Sequence, residues 1–325
     1  MRGAGAVRRL ATAVRRRLAP RGVILLYHRV AAPAHDLDAL AVTPAHFDEQ
    51  LRIISTLAEP LALDEFERRR TDGTLPARAV ALTFDDGYRD NLTAAAPALA
   101  RAGIPATVFV TTGRTGALRG FWWDELAAML LPGTHEPRSL PVCLDDGGPT
   151  QLDFLPTQAH VVHAALAERL RVASADARDR TIDAIAASLG HPLPDPEVAR
   201  ACDNEELRAL AATPGISLGA HSVTHSVMAR QSPRELRTEA VESRAQLTAI
   251  RGGIAPTAFA YPYGATRDIS AAAVDAVRAA GYTMACANVP AAAWRESDPF
   301  QLPRHLVRDW DAATFRSTLA QWFRE

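Results

Sequence analysis

The stretch Ala79-Val80-Ala81-Leu82-Thr83-Phe84-Asp85-Asp86-Gly87 sets a short apolar run directly against two carboxylates and a glycine. Six residues are too few for a helix, and the absence of polar alternation reads as a strand covered on both faces, as in a parallel sheet. The carboxylates therefore fall at the carboxyl end of a strand, the end where α/β barrels assemble their sites. Successive residues there point in different directions, so one carboxylate can hold a metal while the other faces water near it. A turn opened by an Asp pair and Gly would use the same letters.

A second element repeats the arrangement. The run Ile216 to Ala220 leads into His221-Ser-Val-Thr-His225. Histidines four apart lie on one face of a helical turn and can share an ion, and two imidazoles with one carboxylate leave a coordination position open.

Outward from these two elements, further apolar runs read as strands at Val23 to Tyr27, Ala106 to Val110, Thr257 to Tyr261, Tyr282 to Cys286 and near His305 to Val307. Segments of helical period separate them, the signature of a parallel sheet sheathed by helices. Thr43 before Pro44 marks an N-cap and first-turn proline, with Phe47, Leu51 and Ile54 on one face. Gly103 and Gly281 stand where helix C-caps belong. From Pro233 to Ile250, Leu236, Ala240, Ser243 and Leu247 share one side, with Arg and Glu on the other. Seven strands point to an α/β fold, a barrel. Residues 132–203 break the alternation and read as a helical insertion, a Pro-, Gly- and Asp-rich loop followed by helices around Ala159 to Ala173 and Arg178 to Leu189. The domain layout is then a basic arm over 1–22 and one domain over 23–325.

Composition narrows the classes. Hydrophobic residues make up 48% and charged residues 22% of 325, with a mean hydropathy of -0.07, as in a soluble globular protein. A net charge of -1 gives no overall field for nucleic acid. All 36 basic residues are arginine, which excludes lysine Schiff-base chemistry and a lysine phosphate loop. Cys143, Cys202 and Cys286 have no metal-ligand spacing and read as buried thiols of a reducing compartment. The first 21 residues carry seven arginines but no apolar stretch of the kind a signal peptide needs, so a cytoplasmic location is expected. Val7, Leu10, Val14 and Leu18 at helical spacing would let this arm lie on an anionic membrane at the inner face; a solvated arm is the other reading.

Taken together, Thr83-Phe-Asp-Asp-Gly87 and His221-Ser-Val-Thr-His225 resemble the polysaccharide deacetylases, the carbohydrate esterases with a NodB-homology domain, and strand order and spacing agree over most of residues 23 to 323. The resemblance implies a distorted (β/α)7 barrel with Asp85 as catalytic base. Asp86, His221 and His225 would be ligands of a divalent metal: zinc, or cobalt, nickel or iron on the same donors. The family's third motif, Arg-Pro-Pro-Tyr-Gly, corresponds to Ala260-Tyr-Pro-Tyr-Gly264, with Ala260 in place of the arginine that orients the catalytic aspartate. Arg304, in Leu302-Pro-Arg-His305, is the expected substitute, with Asp309 beside it in the supporting shell. Tyr263 would offer its N–H to the oxyanion, and Tyr261 would line the groove.

Two Leu-x-x-His runs can supply the family's catalytic acid, Leu25-Leu-Tyr-His28 and Leu302-Pro-Arg-His305. Pro303 sits poorly in a central ladder, which favours His28. That choice resembles the circularly permuted branch linked to exopolysaccharide biosynthesis, whose histidine strand comes first. A core histidine is the plainer reading of His28. Trp122, in Phe121-Trp-Trp-Asp124, and Trp310 offer faces for sugar stacking or simply for packing. Asp90 and Asn91 could steady the metal loop or cap a helix. The implied reaction removes N-acetyl groups from an amino-sugar polysaccharide or glycan precursor. A lipid-linked or non-sugar amide substrate, or a carbohydrate binder that has lost catalysis, are the alternatives.

Overall fold

The computed structural model describes residues 20–117, 119–132, 136–144, 148–190 and 199–324. Residues 1–19, and with them the expected membrane-binding arm, lie outside the described residues. All seven expected strands form: β1 Arg21–Tyr27, β2 Ala79–Phe84, β3 Ala106–Val110, β4 Ile216–Ala220, β5 Ala258–Ala260, β6 Met284–Cys286 and β7 His305–Leu306. They lie side by side in chain order, every neighbouring pair parallel. The ring is completed on one irregular side. Leu302 bridges Cys286 of β6, while His305 and Leu306 pair with Leu25 and Leu26 of β1. Pro303 between them cannot donate to a ladder, so β7 is short and the (β/α) barrel is distorted there.

Helices cover the outside: α1 Pro44–Leu57 and α2 Leu63–Asp72 after β1, α3 Ala96–Ala102 after β2, α4 Trp122–Leu130, α5 Ala159–Arg171, α6 Ala175–Leu189 and α7 Asn204–Ala212 between β3 and β4, α8 Pro233–Ile250 and α9 Ala271–Ala279 after β4 and β5, and α10 Ala312–Trp322 after β7. The β6–β7 connection has no helix. Period-2 alternation sorts the strands. Val80, Leu82 and Phe84 face the helices, while Ile24, Ala81, Ala258 and Ala260 face the interior with Phe109. Phe109 fills the barrel so fully that a Cβ on Gly219 would come within 2.5 Å of its ring. The interior is a packed plug, and chemistry is left to the rim.

Local signals mostly act as expected. Gly103 ends α3 in the left-handed region at φ 65°, and Ser232 with Glu235 closes a capping box on α8. Thr43 occupies the N-cap position of α1, yet its hydroxyl donates to Asp309 instead of capping. The loop expected at the start of the insertion contains an antiparallel hairpin, Arg138–Val142 against Thr150–Phe154. α5 and α6 follow it and build a separate apolar cluster with α4, centred on Leu126, Phe154, Leu166 and Ile182.

Candidate active site

Loops at the carboxyl ends of β1, β2, β4 and β5 surround a pocket of about 780 Å³ lined by His28, Asp85, Asp86, His221, His225 and Tyr263. Asp86, His221 and His225 each point one donor atom inward, all within 4.8 Å of one another. His225 Nε2 lies 3.2 Å and His221 Nε2 3.6 Å from Asp86 Oδ1. The two histidines do not sit on a helical turn, as their spacing suggested. They belong to an irregular loop in which Ser222 and His225 adopt φ 63° and 55°. Asp86 (φ 72°) and Tyr263 (φ 60°) are also left-handed. Such conformations cost on the order of 1 kcal/mol or more each in residues other than glycine, and they survive only where the surroundings over-determine them.

Those surroundings are charged and buried. Glu239 of α8 accepts from the Val223 and Thr224 N–H groups (2.7 and 3.0 Å) and from the Thr224 hydroxyl. From the opposite side Arg178 of α6, fully buried, donates to the Thr224 and His225 carbonyls at 2.8 and 3.0 Å. Neither residue was singled out in the sequence. The signal available was an ionic side chain inside an apolar stripe: Arg178 shares its face with Ile182 and Ile185, and Glu239, read as solvent-facing, lies beside Leu236 and Ala240.

His221 Nδ1 lies 2.8 Å from the Ala260 carbonyl, which fixes it as the protonated nitrogen and leaves Nε2 free toward Asp86. Burial lowers the pKa of both imidazoles, His225 to about 3 with Arg178 adding to the effect, so both are neutral donors. Asp86 Oδ1 is buried and has no hydrogen-bond partner among the described residues. Two neutral imidazoles beside an unsatisfied carboxylate oxygen fit a divalent metal.

Asp85 is gripped by Arg304, whose Nη1 and Nη2 each donate at 2.7 Å to one carboxylate oxygen. Arg304 is fully buried and also donates to Thr83 Oγ1 and the Ala287 carbonyl. Burial alone would raise Asp85; the Arg304 and His221 charges outweigh it and hold the carboxyl at about 2. The guanidinium missing at Ala260 therefore reaches Asp85 from just before β7.

The two candidate acids separate cleanly. His28 lines the pocket. His305 stacks on Trp322 of α10, ring centroids 4.4 Å apart, away from it. Trp122 lines the pocket, as does Trp123, whose ring lies 4.9 Å from His225. Three expected residues lie elsewhere. Tyr261 is buried in the core against Phe259, and Trp310 packs on Trp322. Asp309 accepts from the Thr43 N–H and lies 2.8 Å from His46 Nδ1, tying the β7–α10 loop to the start of α1. A period-2 strand turns Tyr261 toward the helix layer, and the loop past β7 leaves the rim before reaching Asp309 and Trp310. The insertion contributes one wall of the pocket: Arg171 of α5 stacks 4.3 Å over the Tyr263 ring and pairs with buried Asp268 at 2.5 Å.

The sequence model of the family described as polysaccharide deacetylase matches residues 72–139 and 179–285, more than half the chain and both the Asp85-Asp86 and the His221 to His225 segments. The chain belongs to the polysaccharide deacetylase family. It is accordingly a hydrolase of the polysaccharide N-deacetylase kind. The match leaves out β1 and β7, the strands that bring His28 and Arg304 to the rim, as expected of the circularly permuted branch.

Solved structures share the fold. The Streptococcus pyogenes deacetylase PplD, in complex with acetate, is 18% identical with a TM-score of 0.59, the alignment covering 93% of this chain and 99% of that one. IcaB from Ammonifex degensii is 18% identical with a TM-score of 0.60, over 94% and 98% of the two chains. The BpsB deacetylase domain from Bordetella bronchiseptica is 16% identical with a TM-score of 0.53, over 88% and 96%. No curated protein sequence matches the chain.

Proposed function

We propose that this polysaccharide deacetylase is metal-dependent and removes N-acetyl groups from an amino-sugar glycan, with Asp85 as base and His28 as acid. The observation that carries this reading is the convergence on one pocket of a buried Asp/His/His donor set, a separately held aspartate and a histidine from a different strand. Asp86, His221 and His225 would hold the ion, zinc or else cobalt, nickel or iron on the same donors. Bound there, it supplies Lewis acidity and lowers the pKa of water. Asp85, kept ionised by Arg304, takes the proton of the attacking water. The Tyr263 N–H steadies the negative charge that develops on the carbonyl oxygen. His28 hands a proton to the nitrogen as the C–N bond breaks, so water and amide become acetate and amine. Trp122 and Trp123 offer aromatic surface to the sugar.

Purified protein reconstituted with zinc or cobalt should release acetate from N-acetylglucosamine oligomers, and a chelator should abolish the release. Release that survives complete metal removal would refute metal dependence. No release despite one bound ion per chain would turn the reading toward a lipid-linked or non-sugar amide.

The histidine loop gives a second expectation. Glu239→Ala removes the acceptor that holds the Val223 and Thr224 amides, and metal affinity should weaken about 10- to 100-fold. Chelator competition measures it, and an unchanged affinity would mean that Arg178 alone shapes the loop.

A further inference from the structure

His28 needs an exact position to serve as acid, yet its Nδ1 makes no hydrogen bond among the described residues. The ring must be aimed through its backbone. Two consecutive side chains, five and six residues beyond Asp85, reach back to the His28 loop. Asn91 Nδ2 donates to the His28 carbonyl at 2.8 Å. Asp90 Oδ1 accepts from the Val30 N–H at 3.0 Å, and its Oδ2 accepts from Arg29 Nε at 2.9 Å. Thus the peptide units on both sides of Arg29 are held by the segment that also bears Asp86. That segment continues as a π-helical turn, Asn91–Ala95, a rare conformation that often marks functional sites.

Arg29 is the hub. It is 3% exposed, its guanidinium lies 4.6 Å over the Tyr88 ring, and its Nη1 is 3.5 Å from Asp124. Asp124 accepts from the Tyr88 hydroxyl at 2.7 Å, and that hydroxyl accepts from Trp123 Nε1 at 2.8 Å. One largely buried chain of polar contacts therefore joins the His28 loop, the segment after Asp86 and the aromatic wall beside His225.

We propose that Arg29, Asp90 and Asn91 form a clamp that positions His28 for proton delivery to the departing amine. The three are positioning residues, and the proposal rests on the reading of His28 as acid. A clamp with this task makes itself felt only where the leaving group needs a proton. A sugar amine must be protonated to leave, whereas 4-nitrophenolate leaves from its acetate ester unaided.

The test compares Asn91→Ala with the wild type, both metal-loaded, on N-acetylglucosamine oligomers and on 4-nitrophenyl acetate. The expected result is a fall in kcat on the amide of about 10²-fold, the effect of a small misplacement of a catalytic group. KM, metal content and ester hydrolysis should stay near wild type, while Tm falls by only a few °C for the His28 carbonyl left without its donor. Arg29→Lys, which keeps the charge but cannot bridge Asp90 and Asp124, should show the same selectivity if Asn91→Ala folds poorly. Equal losses on amide and ester, or full amide turnover, would overturn the clamp. His28→Ala distinguishes the underlying reading: it should show the same selective loss more severely, and unimpaired amide turnover in that variant would overturn the role of His28 and the clamp with it.

Discussion

Asp85→Asn is expected to reduce acetate release by about 10³-fold or more, within the upper range of general base catalysis, while one divalent ion still binds per chain. The amide keeps nearly the shape of the carboxylate but cannot take a proton from water. The donor set is untouched, because Asp85 Oδ2 lies 3.9 Å from His221 Nε2 while the inward-pointing donors come from Asp86, His221 and His225. Parallel assays of acetate and bound metal decide it. Loss of the ion together with activity would make Asp85 a ligand, and retention of both would remove it from the chemistry.

Arg304→Met should have the largest effect on stability. It leaves the Asp85 carboxylate buried at 3% exposure without its two 2.7 Å donors. Removing one partner of a buried pair costs about 3–5 kcal/mol, because the other charge remains uncompensated. With an unfolding entropy of about 2.1 cal/mol/K per residue, each kcal/mol shifts Tm by about 1.5 °C in a chain of 325 residues, so Tm should fall by about 4–7 °C, and turnover should fall with it. Combining Arg304→Met with Asp85→Asn should cost less than the sum of the single losses, since the second change removes the stranded charge. Strict additivity in thermal denaturation would show that the two side chains do not depend on each other.

The features legible in the sequence were those carried by short-range pattern. Short, mostly apolar runs marked all seven barrel strands, and the two motifs held four of the pocket-lining residues, to which the end of the first strand adds His28. Arg304 could be picked out because a missing guanidinium at Ala260 left an obligation that some other buried arginine had to meet. What escaped was set by tertiary placement. Arg178 and Glu239 sit on helix faces that looked like ordinary stripes, and their charges make sense only beside the strained loop of Ser222 and His225. The pairing of 138–142 with 150–154 was hidden because a Pro- and Gly-rich composition reads as loop. Trp310, Asp309 and Tyr261 had suitable chemistry near the right strands, but period and loop direction carry them away from the pocket. The helical turn assigned to His221 and His225 failed for a related reason: spacing alone cannot distinguish a helix from a loop whose backbone is forced to turn by its neighbours.

The pairing of β7 with β1 bears on the birth of the enzyme. The side chains of Asp86, His221 and His225 are all in place once residue 225 has been synthesised, but the arginine that pairs with Asp85 comes from residue 304, beside the strand that joins the two ends of the ring. A nascent chain that stops before Arg304 holds an aspartate without its arginine partner and a first strand whose Leu25 and Leu26 lack β7, that edge being held only at Arg21 and Gly22 by Trp294 and Ala293. Products truncated before Arg304 should therefore be unstable, because the Asp85 carboxylate would be left without its two guanidinium donors.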